Sequence, residues 1–559
     1  MNNQKIKLSL GIIFILVSAI IGSFIPFTIS KIIDNSQAVF NFVNNQVLVV
    51  GLFIIQALLT TLGNFNFVDI AELESHQLRN QIINRILNAK AKSLDTLSIG
   101  KIPSHIDNNI KTIQEYKAKS LPNFINALAI LAVTLFFLFK LDTNLSLLLL
   151  VLLPILAIVI IPVTIFAGKY ANAFQKENAN YIEKLSNIFN NILYLKSLNA
   201  QQEISNNLDE NNDRIKEFSS KNNKVNAFIQ PFLLLVVIGI IAVIFMFGGR
   251  RVSDGAITVG TLIAYLLYVF QLLTPVTGIS SFFADKQRAT ANYEEINSYL
   301  ELESEQSNGN ENLNSIQQIE FKNVSFKYDQ TNVINNLNLN IKAREKVAIV
   351  GESGAGKSTI FKLLLGFYNE YDGEILVNNQ NLQNYNISNL RDNIALIPQE
   401  NSIVYSNLEQ FLKLGQKELN NVQTNNVLTE LNLAEKFNLT NNSIHQVDFG
   451  MGGKNLSTGE KQRILVAKAI LAKKEMILMD ESTSAVDANL ENQIFTMIDK
   501  YYANKIVLSI AHRLSTVKYV DRVIFFENGI ITGDDTHENL YNSHAKYKQY
   551  IDLANIEKA

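Results

Sequence analysis

Residues 145–167 read LSLLLLVLLPILAIVIIPVTIFA, a run with no charged side chain and no polar face to offer water. A chain that carries it must hide it in a large apolar core or in lipid, and lipid-embedded helices tolerate prolines such as Pro154 and Pro162. Five other stretches share this character, so spans are predicted at 8–29, 46–63, 122–139, 145–167, 228–248 and 259–282. Each approaches the roughly 20 helical residues needed to cross about 30 Å of hydrocarbon. A single segment of this kind could be a buried core helix, but six could not. All of them fall before about residue 285 of 559, and the remainder is rich in Asn, Lys and Glu, as in an ordinary soluble domain. This distribution excludes a purely soluble enzyme. It predicts an α-helical polytopic membrane domain over 1–300, a polar linker over 301–316 (ELESEQSNGNENLNSI) and a second domain over 317–559.

Orientation follows from the cations. Segments 64–120 and 168–227 each hold eight Lys or Arg, whereas the other three loops carry only Lys31, Lys140, Arg250 and Arg251. Both long segments and both chain ends are therefore expected in the cytoplasm, with the pair Arg250 and Arg251 running against the rule. In those segments apolar residues recur every three or four positions, so the membrane helices should continue into the cytoplasm. Gly100 and Pro103 interrupt the first pattern within SIGKIPSH (98–105), where a short bent element could touch another domain. Lys5 and Lys7 precede the first apolar run as in a signal peptide, but there is no clear small-residue cleavage site and the run reads as a retained helix. No Asp, Glu, Lys or Arg lies in the middle of a span, which leaves no visible proton relay. The polar residues Gln56, Thr60, Thr61, Asn123, Asn126, Gln230 and Gln271 read first as interhelical hydrogen-bonding groups and second as the lining of a cavity. The chain has no Cys, which excludes disulfides, thiolate metal sites and a cysteine-peptidase domain, and its net charge of −2 argues against a nucleic-acid partner.

The second domain carries phosphate chemistry. In KVAIVGESGAGKSTIFKLLLG an apolar strand leads through a glycine-rich turn into an amphipathic helix, and Gly351, Gly356, Lys357 and Ser358 fit G-x-x-x-x-G-K-[ST]. In such a loop the backbone N–H groups cradle phosphates, the Lys reaches the β and γ phosphates and the hydroxyl binds Mg²⁺. Further on, the apolar strand MILMDE ends in Asp480 and Glu481. An Asp so placed can hold Mg²⁺ and the adjacent carboxylate can orient or deprotonate an attacking water. A third strand, KIVLSIA, leads to His512, which taken alone would more often be structural.

In this order the motifs resemble those of the ATP-binding cassette (ABC) transporters, specifically exporter-type half-transporters with six membrane helices fused to one α/β P-loop NTPase domain. The resemblance covers nearly the whole chain. It rests on Tyr328, GESGAGKST, Gln399 in ALIPQE, LSTGEKQR, MILMDEST with SAVD, and IAHRLST, and in the membrane half on GRRVSDGAITVGTLIAYLLY. It implies that Tyr328 stacks on adenine, and that Gly351, Ser353, Gly354, Ala355, Gly356, Lys357, Ser358 and Thr359 form the phosphate loop. It also implies that Ser358, Gln399 and Asp480 hold Mg²⁺, that Glu481 is the catalytic carboxylate, and that Gln399 and His512 serve the reacting phosphate. The signature segment Leu456, Ser457, Thr458, Gly459 and Glu460 and the loop Ser484, Ala485, Val486 and Asp487 would complete the ATP site of a second subunit. A dimer of half-transporters is thereby implied.

One departure stands out, because the family signature LSGGQ is here LSTGE. A carboxylate at Glu460 adds negative charge beside a polyanion and loses an amide donor, which should weaken closure unless a cation, such as Lys461, is near. A homodimer with a tolerated variant is favoured, and a heterodimer with one weak site is the alternative. The expected function is ATP-driven export of a lipid, drug or peptide across a bacterial plasma membrane, with an importer or an ATP-gated channel or sensor as competing readings. Substrate identity is not legible.

Overall fold

The computed structural model describes residues 2–34, 42–95, 97, 100, 102–305, 309–399, 402–416, 418–437, 439, 443–480, 488–511 and 513–556, with only the helical backbone over 153–167 and at scattered other helical positions, among them 229, 230, 273 and 274. The chain divides into two compact units, Met1–Arg85 with Ser98–Glu301, and Ile86–Leu97 with Leu302–Ala559.

The first unit is helical. The predicted spans fall in α1 (Asn2–Asp34), α2 (Phe42–Leu87), α5 (Leu121–Leu141), α6 (Thr143–Asn190), α8 (Gln201–Ser253) and the pair α9 (Val259–Gln271) and α10 (Leu273–Leu300), with α4 (Ile102–Glu115) and α7 (Ile192–Ser197) between them, while the short α3 (Ala91–Asp95) belongs to the second unit. As the periodicity suggested, α2, α6 and α8 run far beyond the apolar stretches. Among the described residues, four helical stretches are long and apolar enough to cross a membrane: Gln4–Asp34, Gln46–Leu87, Ile102–Leu141 and Leu234–Ser253. The fourth predicted span includes residues outside the side-chain description. The last, expected to be continuous over 259–282, is broken at Leu272. Pro275 supplies the reason, since it has no N–H for the carbonyl of Gln271 and its ring crowds that carbonyl.

Local chemistry sets the helix starts. Asp142 Oδ1 accepts from the amide of Leu145 at 2.8 Å and caps α6, and Thr258 caps α9 by accepting from the amide of Thr261. Helix α1 packs on α5 and α9, and α6 packs on α8. Between them Leu138, Leu145, Ile244, Tyr265 and Tyr268 are buried. The Tyr268 hydroxyl donates to the Ser23 carbonyl at 2.7 Å. The Gln271 amide donates to Ser23 Oγ at 3.3 Å, the interhelical role preferred for it, whereas the side chain of Gln230 lies outside the described residues. Arg251 is paired with Asp142 at 2.7 Å, so its charge is neutralised within the unit. The outward faces remain apolar, with Val47, Leu58, Phe136, Leu235 and Met246 each more than half exposed.

The second unit holds two sheets. An antiparallel sheet of order β2-β1-β4-β5 is built from β1 (Gln318–Tyr328), β2 (Thr331–Lys342), β4 (Asp372–Val377) and β5 (Gln380–Asn381). The other sheet has the order β10-β9-β3-β8-β7-β6 and comprises β3 (Lys346–Val350), β6 (Ile394–Ile397), β7 (Met476–Asp480), β8 (Ile506–Ile510), β9 (Arg522–Glu527) and β10 (Ile530–Asp535). All its neighbours are parallel except β9 and β10. Helices α11 (Lys357–Leu364), α12 (Ile387–Asp392), α13 (Leu408–Lys413), α14 (Asn421–Glu430), α15 (Thr458–Leu471), α16 (Ala488–Tyr502) and α17 (Leu514–Tyr519) accompany the strands. Largely apolar strands such as KVAIV and IVLSI require cover on both faces, and both are buried apart from the partly exposed Lys346.

Two boundaries differ from expectation. Residues 86–97, read as part of the helical half, belong to the second unit. The contact element expected at 98–105 therefore lies just after that segment, and of it residues 98, 99 and 101 fall outside the described residues. The stretch 301–316 is not a free linker. Glu305 donates its amide to the Asn88 carbonyl at 2.7 Å, Arg391 holds the Glu305 carboxylate with both guanidinium nitrogens, and Leu313 and Ile316 are buried in the core.

Candidate nucleotide site

Strands β3, β7 and β8 end side by side, with Asp480 opposite Ile510 and Ile349 opposite Ile510. Ligands of open parallel sheets bind outside this carboxyl edge. The chain leaves β3 at Gly351, where a Cβ would meet the carbonyl oxygen of Phe526 at 2.0 Å, so only glycine lets the loop leave beside β9. Gly356, at φ +102, turns the loop left-handed into α11, and a Cβ there would meet the Val333 carbonyl oxygen at 2.8 Å. The Lys357 side chain folds back through this loop. The residue is 6% exposed, and its ammonium donates to the carbonyls of Gly351 at 2.7 Å and Glu352 at 2.8 Å. One cation is thus fixed at a helix N-terminus with amides around it, an arrangement suited to polyphosphate.

Ser358 Oγ donates to Asp480 Oδ1 at 3.4 Å across the gap between α11 and β7. A hydroxyl and a carboxylate oxygen facing each other form a hard-oxygen pair of the kind Mg²⁺ uses, with phosphates and waters completing the shell. This donor set fits the ion. Gln399 lies two residues beyond β6, the strand next to β7, and its side chain is exposed. Glu481, His512 and the loop Ser484, Ala485, Val486 and Asp487 lie outside the described residues, directly after the ends of β7 and β8.

Tyr328 closes β1 beside α11. Its hydroxyl is 3.5 Å from Thr359 Oγ1, its ring meets Tyr368 edge-on at 5.2 Å between centroids, and the Lys362 ammonium lies 5.4 Å from the ring centre. Tyr368 escaped the sequence reading. Its hydroxyl donates to the carboxylate of Asp95 in α3, and burial together with that carboxylate pushes the phenol's pKa above the usual range. The two residues stand 273 positions apart, and no local pattern joins them.

The signature segment opens α15. Ser457 is the N-cap, its hydroxyl accepts from the amide of Glu460 at 3.3 Å, and its own amide donates to Glu460 Oε2 at 2.8 Å. This reciprocal pair is a capping box, which a Glu or Gln in the third helical position can complete. The carboxylate is therefore turned toward the helix start and is almost buried. The nearby cation is Lys436, at 3.2 Å from Glu460 Oε1, and not the expected Lys461. Burial acts to raise the Glu460 pKa, but the Ser457 amide and the Lys436 ammonium outweigh it and hold the carboxyl below its usual range.

The family described as the ABC transporter transmembrane region matches residues 8–276, and that described as ABC transporter matches residues 334–484. A multidrug resistance ABC transporter ATP-binding and permease protein of Lactococcus lactis subsp. lactis is 25% identical over 90% of this chain and 86% of that protein. A putative export ATP-binding/permease protein of Rickettsia typhi is 28% identical over 90% of this chain and 89% of its own length. The solved structure of a bacterial Atm1-family ABC exporter with ATP bound shares the fold with a TM-score of 0.81, at 20% identity over 98% of this chain and 97% of that one. With the transmembrane region and the ATPase joined in this order in one polypeptide, the chain belongs to the ABC transporters as an exporter-type half-transporter.

Proposed function

We propose that the chain is one half of a dimeric pump that hydrolyses ATP to export a hydrophobic or amphipathic substrate across a bacterial plasma membrane. The observation that carries this reading is the buried Lys357 ammonium, fixed in the glycine loop beside the facing pair Ser358 and Asp480. In a chain whose other half is a transmembrane domain, such a site is suited to driving a transport cycle.

In this reading the loop amides and Lys357 bind the phosphates of ATP and Tyr328 stacks on the adenine. Ser358, Asp480 and Gln399 hold Mg²⁺, which when bound neutralises charge on the phosphate oxygens. Glu481 orients and deprotonates the attacking water and His512 holds the γ-phosphate in line. Catalysis then comes from positioning and electrostatics rather than from covalent chemistry. Ser457 and Gly459, with the loop 484–487, serve the nucleotide held by the other subunit, so closure of two chains on ATP precedes hydrolysis. A homodimer is favoured because Glu460 completes the same capping box that a Gln would. A heterodimer with a second half-transporter is the competing arrangement.

The six apolar stretches span the bilayer with both chain ends in the cytoplasm. Export of an uncharged or amphipathic compound accords with spans free of central charges and with the relatives named for multidrug resistance or export. The test is ATP hydrolysis by the purified chain in lipid, with Glu481→Gln as the control. Magnesium-dependent hydrolysis that is lost in the variant supports a competent homodimer. A folded chain that binds ATP without hydrolysing it points to an obligate partner, and one that binds no ATP overturns the reading.

A further inference from the structure

Lys436 lies in the turn after α14, well outside any motif, yet its ammonium is 3.2 Å from Glu460 Oε1 while Oε2 of the same carboxylate receives the Ser457 amide. The Glu460 side chain is 11% exposed and that of Lys436 56%, so one buried negative charge is answered by one cation reaching in from solvent. Ser457 uses its hydroxyl oxygen as acceptor for the Glu460 amide, so both backbone amides of the pair are satisfied at the helix start. The carboxylate thus ties down the Ser457 backbone, and the ammonium cancels the charge that would otherwise face a polyphosphate.

We propose that Lys436 is a positioning residue for ATP binding. It holds Glu460 ionised and turned back onto the N-cap, so that a signature segment carrying a carboxylate presents Ser457 to the nucleotide of the partner subunit with no net negative charge. The proposal rests on the functional reading above. The carboxylate is tolerated here because Lys436 answers its charge, a counter-charge that a neutral amide in its place would not need.

The test uses the full-length chain in lipid and compares wild type, Lys436→Met, Glu460→Gln and the double variant. Lys436→Met should raise the KM for ATP about 3- to 10-fold with little change in kcat, as expected when a partly exposed pair is broken and its acid left facing phosphate. Glu460→Gln supplies the background without the acid, whatever its own KM, and the double variant should match Glu460→Gln, because without the acid the lysine has nothing to neutralise. The Lys436→Met deficit should also narrow between low and high salt, since screening weakens the pair already in wild type. A merely structural role would carry the same loss into both backgrounds, and that result overturns the proposal, as does an unchanged KM in Lys436→Met. A wild-type chain that binds no ATP fails the functional reading first, is recognised before any variant is compared, and removes the proposal with it.

Discussion

The hydroxyl of Tyr368 donates a hydrogen bond to the carboxylate of Asp95, while its ring stands edge-on to Tyr328 at 5.2 Å. One side chain thus touches both the aromatic expected to receive adenine and the short helix α3. That helix belongs to the second unit, although the residues that flank it along the chain, up to Arg85 and from Ser98, belong to the helical one. Lys92 in the same helix is paired with Glu370 at 2.6 Å, two positions beyond Tyr368. Tyr368→Phe keeps the ring contact and removes only the charged-acceptor hydrogen bond, worth about 1 to 3 kcal/mol. The KM for ATP should therefore stay within about twofold, whereas amide exchange over residues 86–95 should quicken and stimulation of hydrolysis by substrate should fall. Unchanged exchange in the variant would show that the hydroxyl does not hold α3.

Lys357 is the most confined cation of the site. Its replacement by Ala removes the charge fixed by Gly351 and Glu352, and hydrolysis should drop by about 100-fold or more, the usual loss when a preorganised electrostatic group is deleted. Gly356→Ala tests the backbone separately. A Cβ at φ +102, also 2.8 Å from the Val333 carbonyl oxygen, should strain the loop by about 1 to 3 kcal/mol. ATP binding should weaken even though every side chain of the site is retained. Wild-type ATP affinity in that variant would mean that the loop adapts to the nucleotide.

The phosphate loop and the signature helix were legible because each is local: a strand, a turn and a helix start written within about twenty positions, with chemistry tied to spacing. The break at Leu272 was also within reach, since Pro275 stands four residues after the carbonyl it cannot serve, but the apolar run hid it. Two kinds of feature were not legible. Stretch 301–316 has only scattered apolar residues, so no period marks Leu313 and Ile316 as core. Pairings such as Asp95 with Tyr368 or Lys436 with Glu460 depend on how distant elements meet, and hydrophobic spacing says nothing about that.

Arg251 defied the charge rule used for orientation, and its pairing explains how the chain tolerates it. The Asp142 carboxylate is 9% exposed, bound by Arg251 at 2.7 Å and already used to cap α6. Arg251→Ala leaves that acid buried beside an apolar cluster with only the Leu145 amide to hold it, a loss of about 3 kcal/mol. The variant should melt lower in detergent, and Asp142→Asn in the same chain should recover most of the loss, because the amide still accepts from Leu145 and carries no charge. Failure of the second change to help would show that the guanidinium matters through packing instead.

Lys468, in the last turn of α15, gives the signature helix a pH response. Its ammonium donates to the carbonyls of Phe411, at 2.7 Å, and of Leu414, and burial, with Lys474 nearby, lowers its pKa to about 8 from an unperturbed 10.5. The sign is that of a depressed base. Below pH 8 both folded and unfolded chains carry the proton, and the folded state bears the full penalty of a buried charge. Between about 8 and 10.5 the unfolded chain still binds the proton that the folded one has released, so this residue adds stability as pH rises through the window. Lys468→Met cannot titrate. The melting temperature of wild type minus that of the variant should therefore be constant from pH 6 to about 7 and climb from about 8 to 10, other lysines cancelling in the difference. A difference that stays flat across that range would mean that the Lys468 ammonium is as well solvated when folded as when unfolded.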